Sequence, residues 1–142
     1  MKTVRVTHRV IYGDTDAMGV AYYANYLRWF EMGRNEWLRS LGVTYREIES
    51  WGVFAPTTQA YCHYLAPARY DDRILIETDV EYLRRASIKF VYKILKEDDS
   101  TELANGYTIH AFVDQEGSIV PTPVMLRNRF KELEKGPTGG EE

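Results

Sequence analysis

The sequence predicts an α+β fold in which an antiparallel sheet of five or six strands wraps around one long central helix. Two observations carry this. Apolar residues recur at helical spacing over one long stretch, from about Ala24 to Leu41, and from Thr57 to Val113 they alternate with the two-residue period of strands. At 142 residues the chain fits one domain, long enough to bury a core without disulfide or metal staples. That domain is expected over residues 1–135, with the polar, Gly-rich stretch 136–142 as a disordered tail.

The elements follow in order. Val4, Val6, His8 and Val10 alternate with Arg5, Thr7 and Arg9, the pattern of a first strand with one buried face. In the long helix Tyr26, Leu27, Phe30, Trp37, Leu38 and Leu41 form the apolar stripe, and Glu31, Arg34, Asn35 and Arg39 occupy much of the rest. Gly33 costs about 1 kcal/mol of helix propensity relative to Ala; a close approach of helix backbone to sheet would account for it. Gly42 supplies a C′ stop, and Thr44-Tyr45-Arg46-Glu47 is a capping-box pattern that opens a short helix ending near Trp51-Gly52. Strands are expected at Thr57–Leu65, Ile74–Tyr82, Ile88–Ile94 and Leu103–Val113, with a last short one at Ile119–Pro121. Asp98-Asp99-Ser100 and Asp114-Gln115-Glu116-Gly117 supply turns, and Val124–Lys135 is a terminal amphipathic helix. A single small sheet leaves edges to be covered, and pairing with a second copy would cover one.

The net charge of −3 argues against a dedicated nucleic-acid binder. No apolar run approaches the roughly 20 residues of a membrane span, and Met1–Arg5 lacks the apolar core of a secretion signal. The lone Cys62 has no internal disulfide partner, so a cytoplasmic location is expected.

The most chemically suggestive stretch is Tyr12-Gly13-Asp14-Thr15-Asp16-Ala17-Met18-Gly19-Val20, which runs through Ala21 and Tyr22 into Tyr23-Ala24-Asn25-Tyr26. Two carboxylates one residue apart sit in a loop that feeds a helix, placing an acid beside N–H groups able to polarise a carbonyl. A calcium loop is excluded, because Met18 and Asn25 stand where an EF-hand needs ligands. Cys62 and His63 are strand neighbours whose side chains point to opposite faces, so they form no dyad within one chain. His8 and His110 are expected to be ordinary strand residues. No nucleophile elbow or zinc-binding motif is present.

With these features in place, the chain resembles the hotdog-fold acyl-CoA thioesterases of the 4-hydroxybenzoyl-CoA thioesterase type, including the branch associated with the Tol–Pal envelope system. The resemblance is densest from Tyr12 to Glu31, and continues at Pro67-Ala68-Arg69-Tyr70-Asp71-Asp72 and Leu83-Arg84-Arg85-Ala86-Ser87. It implies hydrolysis of a CoA thioester with Asp16 as nucleophile or general base and the Tyr23 backbone N–H holding the thioester carbonyl. Many relatives of the Tol–Pal branch have His where this chain has Tyr23, which leaves the backbone donor in place. Arg84 and Arg85 match a stretch that contacts the nucleotide, and their forked donors suit the phosphates of coenzyme A; Ser87 would add a hydroxyl. Glu31 on the central helix is the alternative carboxylate. The resemblance implies a homodimer or homotetramer with sites at a subunit interface, and no cofactor beyond the coenzyme A of the substrate. A non-catalytic acyl-CoA or acyl-carrier binding module is the alternative function. A dehydratase is the third possibility; it would need a His paired with an acid in the site, and no such motif is apparent in the sequence.

Overall fold

Residues 2–135 are described by the computed structural model; the expected tail at 136–142 lies outside them. Five strands form one sheet: β1 (Val4–Arg9), β2 (Thr57–Tyr64), β3 (Arg73–Leu83), β4 (Ser87–Lys96) and β5 (Glu102–Ala111). Their order is β1-β3-β4-β5-β2, with every neighbouring pair antiparallel. Helix α1 (Asn25–Ser40) lies against one face, followed by the short α2 (Tyr45–Ser50), and α3 (Val124–Glu134) closes the described chain. No helix among the described residues is long and apolar enough to cross a membrane.

Strand alternation places Ile74, Ile76, Thr78 and Val80 of β3 and Ile88, Phe90, Tyr92 and Ile94 of β4 on the buried face. Phe30 of α1 stacks on Tyr92 with ring centroids 4.1 Å apart. Trp29 is buried, whereas Leu27 is exposed on the outer side of the helix. The Thr44–Glu47 capping box forms as its sequence predicts, with Glu47 N–H donating to Thr44 Oγ1 at 3.2 Å and Thr44 N–H to Glu47 Oε1 at 3.1 Å.

Two glycines let helix and sheet meet. A Cβ on Gly33 would lie 2.1 Å from Thr78 Oγ1 and 3.0 Å from Ile76 Cγ2, so the backbone of α1 rests directly on β3. A Cβ on Gly106 would lie 2.0 Å from the Tyr61 carbonyl oxygen and 3.0 Å from Phe30. Together these contacts fix the height and tilt at which α1 crosses the sheet.

The expected strand at Ile119–Pro121 does not form. Ile119 makes one isolated bridge with Val113, and Pro121 and Pro123 have no N–H with which to extend a ladder. The two edges also differ. β1 keeps one half-buried face, but β2 is exposed on nearly every residue of both faces, including Tyr61 and Tyr64.

Gly33→Ala tests the helix–sheet contact. It is expected to cost about 1–3 kcal/mol through overpacking, against a propensity gain of about 1 kcal/mol, as read from urea denaturation. An Ala variant as stable as the parent would show that α1 has room to rise from the sheet.

Candidate active site

The two acids of the loop occupy different environments. Asp14 closes a single 3₁₀ turn, Tyr12–Asp14, and is buried. Its Oδ2 accepts the Ile11 N–H at 2.9 Å and lies 3.1 Å from His8 Nε2. Its carbonyl oxygen accepts both the Tyr22 N–H and Asn25 Nδ2, each at 2.8 Å. Asp14 therefore ties the end of β1 to the start of α1. Asp16 is half-exposed, and its Oδ1 accepts the Met18 N–H at 2.8 Å in an Asx turn. The segment folds back on itself through Asp16 N–H to Val20 O at 2.9 Å and Gly19 N–H to Asp16 O at 3.0 Å, with Gly19 at φ +81° where a side chain would be strained. Asp16 Oδ2 has no hydrogen-bond partner among the described residues, so one carboxylate oxygen is available to a ligand.

The start of α1 adds donors. Asn25, Tyr26 and Leu27 donate their N–H groups three residues back, to the carbonyls of Tyr22, Tyr23 and Ala24. The helix thus begins as a tight turn, and the N–H groups of Tyr23 and Ala24 have no acceptor among the described residues. The Tyr23 carbonyl is held by the Tyr64 hydroxyl of β2 at 2.9 Å, and the Tyr23, Tyr26 and Tyr64 rings pack edge to face. The Tyr22 phenol titrates above its ordinary value, raised first by Tyr23, then by desolvation, and further by the charge of Asp16.

Arg84, Arg85 and Ser87 lie elsewhere. Arg84 and Arg85 occupy the β3–β4 turn and Ser87 opens β4; Arg84 N–H donates to Ser87 O at 2.8 Å and the Arg84 guanidinium stacks 3.8 Å above the Tyr82 ring. The loop joins the opposite end of β3, since Val10 N–H donates to Asp72 O beside Arg73. β3 has 11 residues, which places the arginines roughly 33 Å along the sheet from that end. One chain does not bring its own Arg84 and Arg85 to its own Asp16.

The remaining candidates separate clearly. Glu31 is exposed on α1 and lines a cavity of about 230 Å³ with His8, Asp14 and Arg28. His110 is buried, and its Nε2 lies 2.8 Å from Thr108 Oγ1. Burial, reinforced by Arg34, pushes its pKa down to about 4, so it is neutral at pH 7. Burial pushes the Cys62 thiol up, away from the thiolate form. The His8–Asp14 pair was not expected. Its sequence signal is a histidine on the inward side of β1, where the alternation asks for an apolar residue.

The profile of the thioesterase-like superfamily matches residues 10–130. The acyl-CoA thioesterase YbgC of Haemophilus influenzae is 39% identical over 90 residues, 62% of this chain and 65% of that protein. The crystal structure of a hypothetical protein from Aquifex aeolicus superposes with a TM-score of 0.83 at 34% identity, covering 89% of this chain and 98% of that one. A 4-hydroxybenzoyl-CoA thioesterase mutant solved with 4-hydroxybenzoyl-CoA superposes with a TM-score of 0.82, covering 91% and 99%; at 20% identity that likeness carries the fold alone.

Removing the buried acid tests whether it holds the loop. Asp14→Ala leaves the Ile11 N–H without its acceptor and is expected to cost about 1–3 kcal/mol in chemical denaturation. Asp16→Ala, at the half-exposed position, is expected to cost less than half as much. Equal losses would contradict the division of labour between the two acids.

Proposed function

The chain belongs to the thioesterase-like superfamily, and from that premise we propose how it works as a hydrolase of acyl-CoA thioesters, with Asp16 at the reacting carbonyl. The observation that carries this is that one segment holds both a carboxylate oxygen and, seven residues on, a helix-start N–H of Tyr23 that have no hydrogen-bond partner among the described residues. Asp16 either attacks the thioester carbon or takes a proton from the attacking water. The developing oxyanion accepts a hydrogen bond from Tyr23 N–H, a preorganised donor of a kind worth about 3 kcal/mol of barrier. The leaving thiol has a pKa near that of a free thiol, about 8.5, so it departs as thiolate without a strong general acid.

The working unit is a homodimer formed through β2. A long edge strand exposed on both faces, carrying Tyr61 and Tyr64, invites pairing with another copy. Antiparallel pairing of two β2 strands sets Tyr64 of one chain beside the Thr57 end of the other. In the register of β2 with β5 and β5 with β4, Thr57 aligns with His110 and Ser87 with Ala111. The partner's Arg84, the partner's Arg85 and the partner's Ser87 then lie about three strand spacings, ~14 Å, from the Tyr64 that holds Tyr23. The extended pantetheine arm of coenzyme A spans such a distance, with the thioester at Asp16 of one chain and the phosphates at the guanidinia of the other.

Release of free thiol from a panel of acyl-CoA substrates tests the assignment. Asp16→Asn is expected to lower kcat by at least about 10²-fold while leaving the circular dichroism spectrum and melting temperature near those of the parent. Near-normal turnover by that variant would exclude Asp16 from the chemistry.

A further inference from the structure

His8 departs from the apolar pattern of its strand and takes no part in the proposed chemistry. β1 turns Val4, Val6 and His8 inward, and His8 stands opposite Ile74 of β3. There its ring packs on Trp29 of α1, with centroids 5.7 Å apart, and its Nε2 lies 3.1 Å from Asp14 Oδ2. A carboxylate accepts and does not donate, so the hydrogen of this bond sits on His8 Nε2, in the neutral ring or in the imidazolium. The side chains of His8 and Asp14 are 22% and 11% exposed, so the bond is largely withdrawn from competing water.

From Asp14 the contacts run on to the start of α1. The Asp14 carbonyl oxygen accepts Tyr22 N–H and Asn25 Nδ2, each at 2.8 Å, and Asn25 N–H donates to Tyr22 O at 2.9 Å. Tyr22 O and Tyr23 N–H belong to one planar peptide unit. Asn25, itself held by Asp14, therefore fixes the carbonyl side of that unit, while Tyr64 of β2 holds the next carbonyl, that of Tyr23. Ile11 N–H donates to the same Asp14 oxygen as His8 does, at 2.9 Å. Ile11 lies within the loop it secures, whereas His8 brings its donor from β1 with its ring against α1. A catalytic group displaced by about 1 Å loses on the order of 10²-fold in rate, so the anchoring of this peptide unit bears directly on turnover.

We propose that His8 is a positioning residue for thioester hydrolysis, holding Asp14 so that the Tyr22–Tyr23 peptide unit presents its N–H to the oxyanion. His8 exchanges no proton with the substrate in this role; it supplies a fixed donor at the position of Nε2. The proposal rests on the reading of Tyr23 N–H as the oxyanion donor.

Substitutions at His8 test it through thiol release, melting temperature and amide exchange. His8→Leu and His8→Phe remove the donor and keep an apolar side chain on the inward face of β1; the Phe variant also keeps a ring on Trp29. His8→Gln keeps an amide N–H close to the position of Nε2. With the best acyl-CoA of the substrate panel, the Leu and Phe variants are expected to lower kcat by roughly 10- to 100-fold at little-changed KM. His8→Gln is expected to recover most of that loss. Exchange of the Tyr22 amide hydrogen, followed by NMR, should quicken at least about tenfold without the donor and stay near the parent rate in His8→Gln. Added to Asp14→Ala, His8→Leu should lower kcat no further, because both act through one residue. A Gln variant as slow as the Leu and Phe variants would overturn the proposal, and so would losses that add in full in the double variant. Quickened Tyr22 exchange at undiminished kcat would overturn it as well, since the clamp would then not reach the chemistry. A parent protein that hydrolyses no acyl-CoA would overturn the hydrolase assignment and the catalytic claim with it, while Tyr22 exchange that depends on His8 would leave the clamp standing.

Discussion

The close approach of α1 to the sheet is the constraint on which the rest of the molecule depends. Gly33 rests on Thr78 and Ile76, and Gly106 admits Phe30 and the Tyr61 carbonyl; any side chain at either glycine would collide. With the helix set at that height, its first residues meet β2, and Tyr64 closes onto the Tyr23 carbonyl. Asp14, buried beneath, joins the same point from β1 through His8, Ile11, Tyr22 and Asn25. Two N–H groups without acceptors among the described residues and a half-exposed carboxylate are what this framework leaves at the loop. The chemistry asked of the site is correspondingly modest. A thioester needs an attacking or proton-accepting group and a place for the oxyanion, and in the proposed mechanism these two features supply both.

The same sheet that positions the helix also separates the functional charges. β3 carries the loop at one end and the arginine turn at the other, and no local rearrangement shortens an 11-residue strand. The uncovered β2 edge offers the physical resolution, because antiparallel pairing of two copies reverses the partner and brings its arginine end alongside the first chain's helix start. In the proposed dimer, two chains together complete one site.

Much of this was legible in the sequence where interactions are local. The alternation in β1, β3, β4 and β5, the helical stripe around Phe30 and Trp37, and the Thr44–Glu47 cap all follow from near neighbours along the chain. The departures are non-local. His8 meets Asp14 only once β1 and the loop have folded together. Leu27 fits the helical stripe but falls outside the strip that the sheet covers, while Trp29 takes its place. Ile119–Pro121 has strand-like residues, but the prolines beside it prevent a ladder. Arg84 and Arg85 stand out as a basic pair in sequence, yet their distance from Asp16 is a property of strand length and topology.

Mixing two defective proteins tests the two-chain site most directly. Asp16→Asn and the Arg84→Ala/Arg85→Ala double variant are each expected to hydrolyse acyl-CoA poorly at subsaturating concentration. After subunit exchange, each hybrid dimer combines Asp16 from one chain with Arg84 and Arg85 from the other in one intact site. Equal mixing makes about half the dimers hybrid and is expected to restore about a quarter of the parent activity. A mixture no more active than the average of its two components would show that Asp16 and the arginines act within the same chain, or do not share a site.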